Sequence, residues 1–239
     1  MRSLLSVVSA LLAASTVVVA SPSPLGKYIN CDCSGITIPS ELLIDYKNAS
    51  NTLAPPAADE RLMRVALGIG SQNYSCADGK PVANGALAQL FDISCLLTSS
   101  PELGNYFSPV ALHTSPSFQS TLVKMFANFL STQYSCGVHY FKGNFATPYF
   151  EFTDRKSKFC GSAAGKISAS QNSDMGKAPY NFGAVPSLRL AANADMGSTY
   201  STVYRLHTAG GQPPATCDWT GQKQIPYTAQ YYFYEKKGV

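Results

Sequence analysis

The sequence predicts a single all-β domain, a β-sandwich or barrel-like fold, with one or two short helices and an irregular N-terminal leader. Three observations lead there. Short segments alternate apolar and polar residues over much of the chain. Gly and Pro separate those segments, at Gly143, Pro148, Gly161, Gly176, Pro179, Pro186, Gly210-Gly211 and Pro213-Pro214. Tyr (14) and Phe (12) are abundant, and aromatic side chains favour strands.

The first twenty residues read as a secretory signal peptide. Arg2 supplies the positive end, Leu4 to Val19 is almost wholly apolar, and Val18-Val19-Ala20 is followed by Ser21-Pro22. No other run is long and apolar enough to span a membrane. The expected product is secreted and extracellular. Residues 21–60 form a Pro-rich irregular leader expected to pack on the domain, and residues 61–235 form the β-rich domain. The net charge of +4 comes without a Lys/Arg cluster, so nucleic acid is not an expected partner.

The first strand is expected at Met63 to Ile69. Met63, Val65, Leu67 and Ile69 share one face, and Arg64 and Ala66 the other, as in a half-buried strand. Further along, Tyr74 and Cys76 share a face. Gly85 to Thr98 reads as a short helix or a strand entered by a turn. Phe118 to Ser131 has helical apolar spacing. Strands are expected at Gly137 to Lys142, Tyr149 to Thr153, Ser187 to Ala191, Thr202 to Thr208 and Tyr227 to Tyr234. Cys160 to Gly165 reads as a small-residue turn.

Gly68-Ile69-Gly70 looks like half of a dinucleotide fingerprint after a strand. The third glycine is missing, since Asn73 stands there. The turn Asp78-Gly79 follows instead of a helix, and no βαβ alternation comes after. No cofactor is expected.

Seven cysteines, Cys31, Cys33, Cys76, Cys95, Cys136, Cys160 and Cys217, are disulfide candidates in a secreted chain, with one left over. Asn48-Ala49-Ser50 and Asn73-Tyr74-Ser75 are glycosylation sequons. A glycan on Asn73 would leave the inward side to Tyr74, a ligand-binding candidate.

The three histidines, His113, His139 and His207, show no metal-ligand spacing, and no metal is expected. No G-x-S-x-G occurs. Glu151, Asp154, Asp174 and Asp195 are the acidic candidates for glycoside chemistry, and spacing selects none. The best site candidate is Val203 to Thr208. On a regular strand Arg205 and His207 share a face, and with His139 they could line a cleft whose arginine holds an anionic or polyol ligand. The tyrosines of the last strand offer a second idea. Tyr227, Tyr231 and Phe233 share one face, Tyr232 and Tyr234 the other; one face belongs to the core, and the other is either an exposed row that would suit sugar rings or, the favoured reading, buried as well.

The segments VALGIGSQNYSC (Val65 to Cys76), LFDISCLL (Leu90 to Leu97), GVHYF (Gly137 to Phe141), TPYFEF (Thr147 to Phe152), VYRLHTAGGQPPATC (Val203 to Cys217) and IPYTAQYYFY (Ile225 to Tyr234) occur in this order. Together they resemble the fungal branch of the secreted family called domain of unknown function, thirty-four fifty-five. The resemblance implies an extracellular β-rich domain and no established reaction, so no catalytic residue is carried over. Many relatives have a second His where this chain has Val138, and bulk where it has Pro186 and Ser187. Some members carry an automatic malate dehydrogenase label, and the residues here give a NAD-dependent enzyme no support.

The functional expectation is a non-enzymatic cell-wall or host-surface binding protein for carbohydrate or a small polar ligand. The alternative is a secreted hydrolase or metal-assisted enzyme using His139, Arg205 and His207.

Overall fold

The structure is a computed structural model that describes residues 31–112, 135–143, 147–153, 157–169 and 183–238. Eight antiparallel strands close into a barrel in simple sequence order. They are β1 (Glu60–Ala77), β2 (Lys80–Asp92), β3 (Ser135–Lys142), β4 (Thr147–Phe152), β5 (Lys158–Ile167), β6 (Ser187–Ala192), β7 (Thr202–Gly210) and β8 (Gln222–Lys236). Two short helices, α1 (Ser94–Ser99) and α2 (Gly104–Leu112), follow β2. Pairing of β8 with β1, from Glu60 opposite Lys236 to Ser75 opposite Gln222, closes the ring and removes both sheet edges. The all-β expectation holds, and the architecture is the barrel.

An eight-stranded barrel has room for about one filling of side chains. Here aromatic rings fill it. Phe150, Phe152, Phe159, Tyr231 and Phe233 are buried inside with Ala66, Ala88, Leu90 and Val203. The rings meet edge to face: Phe152 and Phe233 lie 4.9 Å apart at 86°, and Phe150 and Phe233 5.3 Å apart at 78°. The wall facing them is built from small residues, and this accounts for Gly68-Ile69-Gly70. A Cβ on Gly68 would stand 2.7 Å from the Tyr231 ring, and one on Gly70 would run into the backbone of Leu87 and Ala88. The glycines make space for a ring and a neighbouring strand; they form no phosphate loop.

A second apolar layer covers the outside of β1, β7 and β8. Val65, Leu67, Tyr204, Leu206, Tyr232 and Tyr234 pack there against Leu43 and Leu53 of the leader and against Ile93, Leu97 and Ala111. β1 is therefore buried on both faces, not half-buried. A register shift between Leu62 and Arg64 also moves Met63 off the face it was expected to share with Val65: Met63 packs against the interior. Arg64, 1% exposed, lies inside, with its guanidinium 4.3 Å from the Phe152 ring and Nε 3.3 Å from Asp92 Oδ2.

The described part of the leader, residues 31–59, packs on the barrel. It contains one 3-10 turn (Ser40–Leu43) and the bridge Ile44–Thr52. Asp45 ties it to the end of β5. Its Oδ2 accepts the Ser168 N–H at 3.0 Å and Asn51 Nδ2 at 3.0 Å, and its Oδ1 accepts the Lys47 N–H at 2.9 Å. These bonds, the Ser168 amide first, lower the Asp45 pKa to about 2.

Three sequence expectations change. Gly85 to Thr98 is strand and helix in succession. Cys160 to Gly165 lies in β5, where small residues allow close approach: Leu53 of the leader sits against Gly165, and the Phe159 ring against Gly161. Of the two readings of the β8 tyrosines, burial on both faces is the one found, with Tyr227, Tyr231, Tyr232 and Tyr234 all buried. Two bridges form, Cys31–Cys95 and Cys76–Cys217, and Cys33, Cys136 and Cys160 belong to neither. Cys136 on β3 and Cys160 on β5 are separated by β4. Strands two apart lie about 10 Å from each other, beyond the roughly 7 Å that a disulfide spans. The helical stretch at 118–131, His113, Asp154, Asp174 and the signal peptide lie outside the described residues.

Candidate functional site

The site is assembled by register. His139 on β3 stands opposite Phe150 on β4 and Ala88 on β2, with its side chain inside the barrel. Arg205 on β7 stands opposite Tyr231 on β8 and Leu188 on β6. Since side chains of directly opposed residues share a face, Arg205 enters the interior beside Tyr231.

His139 is 2% exposed. Its ring stacks on Phe150 at 4.0 Å and 9°, and lies 5.5 Å from the Tyr231 ring. Nδ1 is 3.0 Å from the Tyr149 carbonyl oxygen. That acceptor assigns the proton to Nδ1 and leaves Nε2 as the acceptor. Burial, reinforced by the positive Arg205, lowers the His139 pKa to about 3. The ring is neutral at any ordinary pH and is a poor general base.

Arg205 is 8% exposed. Nε and Nη2 donate to the Pro186 carbonyl at 3.2 and 2.9 Å. Pro186, one of the departures noted in the sequence, thus supplies the backbone oxygen that orients the guanidinium. Among the described residues no carboxylate lies within ion-pair distance of Arg205. Its other neighbours include the neutral His139 ring and buried hydroxyls. Tyr227 and Tyr231 bond each other at 2.9 Å, and burial raises both phenol pKa values while Arg205 opposes the rise. Tyr74 donates to the Gly211 carbonyl at 2.8 Å across this end of the barrel, and its pKa is raised by burial against the pull of Arg205. Gln72 acts on the Tyr227 hydroxyl, but its amide nitrogen is buried without an acceptor at hydrogen-bond distance.

His207 is not part of this group. The alternation that would align it with Arg205 breaks at a bulge between Leu206 and Ala209, where His207 adopts φ 45°. The charge it feels is Glu41 of the leader, which partly offsets the burial that lowers its pKa to about 4. The structure thus gathers His139, Arg205 and Tyr74 and leaves His207 outside. The shared face expected for Arg205 and His207 on a regular strand is broken by that bulge. Tyr227, Tyr231 and Gln72 were not singled out from sequence as site residues. Only the shared face of Tyr227 and Tyr231 hinted at them.

Other candidates lie elsewhere. Glu151 is exposed on β4 and accepts the Tyr140 hydroxyl at 3.2 Å, and Asp195 is exposed on a 3-10 turn. Among the described residues no three His, Cys, Asp or Glu side chains cluster as metal ligands. Asn48 is exposed on a leader turn. Asn73 is half-buried on β1 and accepts the Ser71 hydroxyl at 3.0 Å.

A family model described as Protein of unknown function (DUF3455) matches residues 56–235. The chain belongs to this family. The match runs from the end of the leader to the last turns of β8, so the DUF3455 region takes in nearly the whole barrel, the interior cluster included. No curated protein and no solved structure matches the chain. No helix among the described residues is long and apolar enough to cross a membrane.

Proposed function

We propose that this chain is a secreted, non-enzymatic binding protein whose barrel end holds a small polar ligand through Arg205. The observation that carries the reading is the buried guanidinium with no carboxylate at ion-pair distance among the described residues. Taking a cation out of water costs several kcal/mol unless a partner compensates, and a single backbone carbonyl with neutral hydroxyls compensates only in part. Arg205 and the unsatisfied Gln72 amide are both donors, so the matching ligand is rich in acceptors: a carboxylate or a polyol. Tyr74, Tyr227 and Tyr231 supply hydroxyls around it.

Two features support binding over catalysis. His139 is neutral and already committed at Nδ1, so it makes a weak proton acceptor. The second histidine of the alternative enzyme reading is held apart at the β7 bulge. The two disulfides are compatible with an extracellular setting. Cell-wall or host-surface polysaccharide, presenting uronic acid or polyol groups, is the ligand class that best combines the setting with the donors.

Native mass spectrometry of the protein secreted by its own host, after enzymatic deglycosylation, tests this. A retained small acid or saccharide that is lost on Arg205→Gln is the expected result. A bare polypeptide that also takes up no carboxylate or polyol from an added panel would overturn the reading.

A further inference from the structure

Cys31, Cys33 and Cys95 meet where the leader joins the barrel. Cys31 is bonded to Cys95 with Cα atoms 5.3 Å apart. Cys33 lies outside that bridge, 3% exposed, with its sulfur 3.7 Å from the Cys31 carbonyl oxygen. Its side chain therefore folds back toward Cys31. The residue between them touches the helix that carries Cys95: Thr98 Oγ1 donates to the Asp32 carbonyl at 3.3 Å. Thr98 is three residues beyond Cys95, on the same face of α1. The two leader cysteines thus flank the point where the chain meets that face.

The reach is short. Two residues of extended chain cover at most about 7 Å, and a disulfide accepts Cα separations of roughly 4.4 to 6.8 Å. Local bonds shape the turn after Cys33: Asp32 accepts the Ser34 N–H at 2.8 Å and the Ser34 hydroxyl at 2.9 Å, and the Ile36 N–H bonds the Cys33 carbonyl at 2.9 Å.

We propose that Cys95 exchanges between Cys31 and Cys33, making Cys31-Asp32-Cys33 a thiol–disulfide switch that resets how the leader sits on the barrel. The Cys33 thiol gives up its proton, and its thiolate attacks Cys95 Sγ. The Cys31–Cys95 bond breaks as the Cys33–Cys95 bond forms. Cys31 leaves as a thiolate and takes up a proton. One disulfide and one thiol stand on each side, so no oxidant or reductant is consumed. Cys33 is buried, so the step follows a lifting of the leader. Cys31 and Cys33 both line a cleft of about 840 Å³ between the leader and the β1/β8 wall, with Glu60, Arg61 and Tyr234. Exchange moves that wall by two residues of chain and changes the shape of the cleft.

Disulfide mapping of the full secreted chain tests this. The protein is equilibrated in a glutathione redox buffer, quenched in acid, alkylated and digested with a protease that cuts before Asp32, which separates the two cysteines. The expected result is both linkages to Cys95, the minor one at about a tenth of the major or more, and complete transfer of Cys95 to Cys33 in Cys31→Ser. Cys95 linked to Cys31 alone after equilibration would overturn the proposal. So would an alkylated Cys95 in Cys31→Ser while the Cys76–Cys217 bridge, the reporter of an intact barrel, is retained.

Discussion

Gly68 lies directly under the ring of Tyr231: a Cβ at Gly68 would stand 2.7 Å from the ring edge. Tyr231 is in turn the residue that β8 places opposite Arg205. The small residue on β1 therefore fixes the ring that borders the candidate site. Gly68→Ala is expected to destabilise the fold by about 1–3 kcal/mol, the usual cost of forcing atoms into a packed core. Gly68→Ala combined with Tyr231→Leu is expected to cost less than the sum of the two single changes, since the new methyl then meets a smaller neighbour. Urea unfolding of the four proteins measures the coupling.

The buried histidines predict an acid-sensitive fold. His139 titrates near 3 and His207 near 4 in the folded chain, against an ordinary value of 6.5. Between those values and 6.5 the unfolded chain binds protons that the folded chain refuses. Stability is therefore full above pH 6.5 and falls as pH drops, by up to roughly 1.4 kcal/mol per pH unit for each histidine. Stability measured from pH 7 to pH 4 checks the slope. His139→Phe, which keeps a ring stacked on Phe150, is expected to make the slope shallower; an unchanged slope would show that His139 is not the group responsible.

Asp45 predicts a localised effect. Its carboxylate gathers bonds from Lys47, Asn51 and Ser168, and its pKa lies near 2. Asp45→Ala is expected to speed amide exchange through residues 36–54 and to leave β3 and β4 protected. The same loosening should appear in the native protein as pH falls through about 4 toward 2, as the carboxylate is protonated.

The Cys76–Cys217 bridge joins the end of β1 to the loop before β8 and closes a loop with a sequence separation of 141. Replacing both cysteines by Ser is expected to cost about 2–5 kcal/mol, as for a native bridge in a secreted domain. The shift of the thermal midpoint reads it.

Much of the fold was legible in the alternation of individual strands. Five expected strands match β3, β4, β6, β7 and β8, whose aromatic and β-branched runs are bounded by Gly and Pro. The strand at Cys160 to Gly165 was hidden because its residues are small for packing reasons: Gly165 admits Leu53 and Gly161 admits the Phe159 ring. A residue chosen for close approach carries no hydrophobic period. Burial on both faces of β1 was equally silent, since a polar residue such as Arg64 can face a covered layer when it finds partners there. The candidate site was half legible. Arg205, His139 and Tyr74 stood out as isolated polar or aromatic residues, but pairing Arg205 with Tyr231 requires the β7/β8 register, and breaking the alternation at His207 requires the bulge.

The central claim is that Arg205 is kept for a ligand and not for the fold. The most direct test measures stability and ligand uptake together in the wild type and in Arg205→Met, which preserves the aliphatic stem and removes the charge. Arg205→Met is expected to be as stable as the empty wild type or more so, by about 0–2 kcal/mol, and carboxylates or polyols that raise the thermal midpoint of the wild type are expected to leave that of the variant unchanged. A variant that loses several kcal/mol of stability, beside a wild type that responds to none of these compounds, would contradict it and make Arg205 a structural residue.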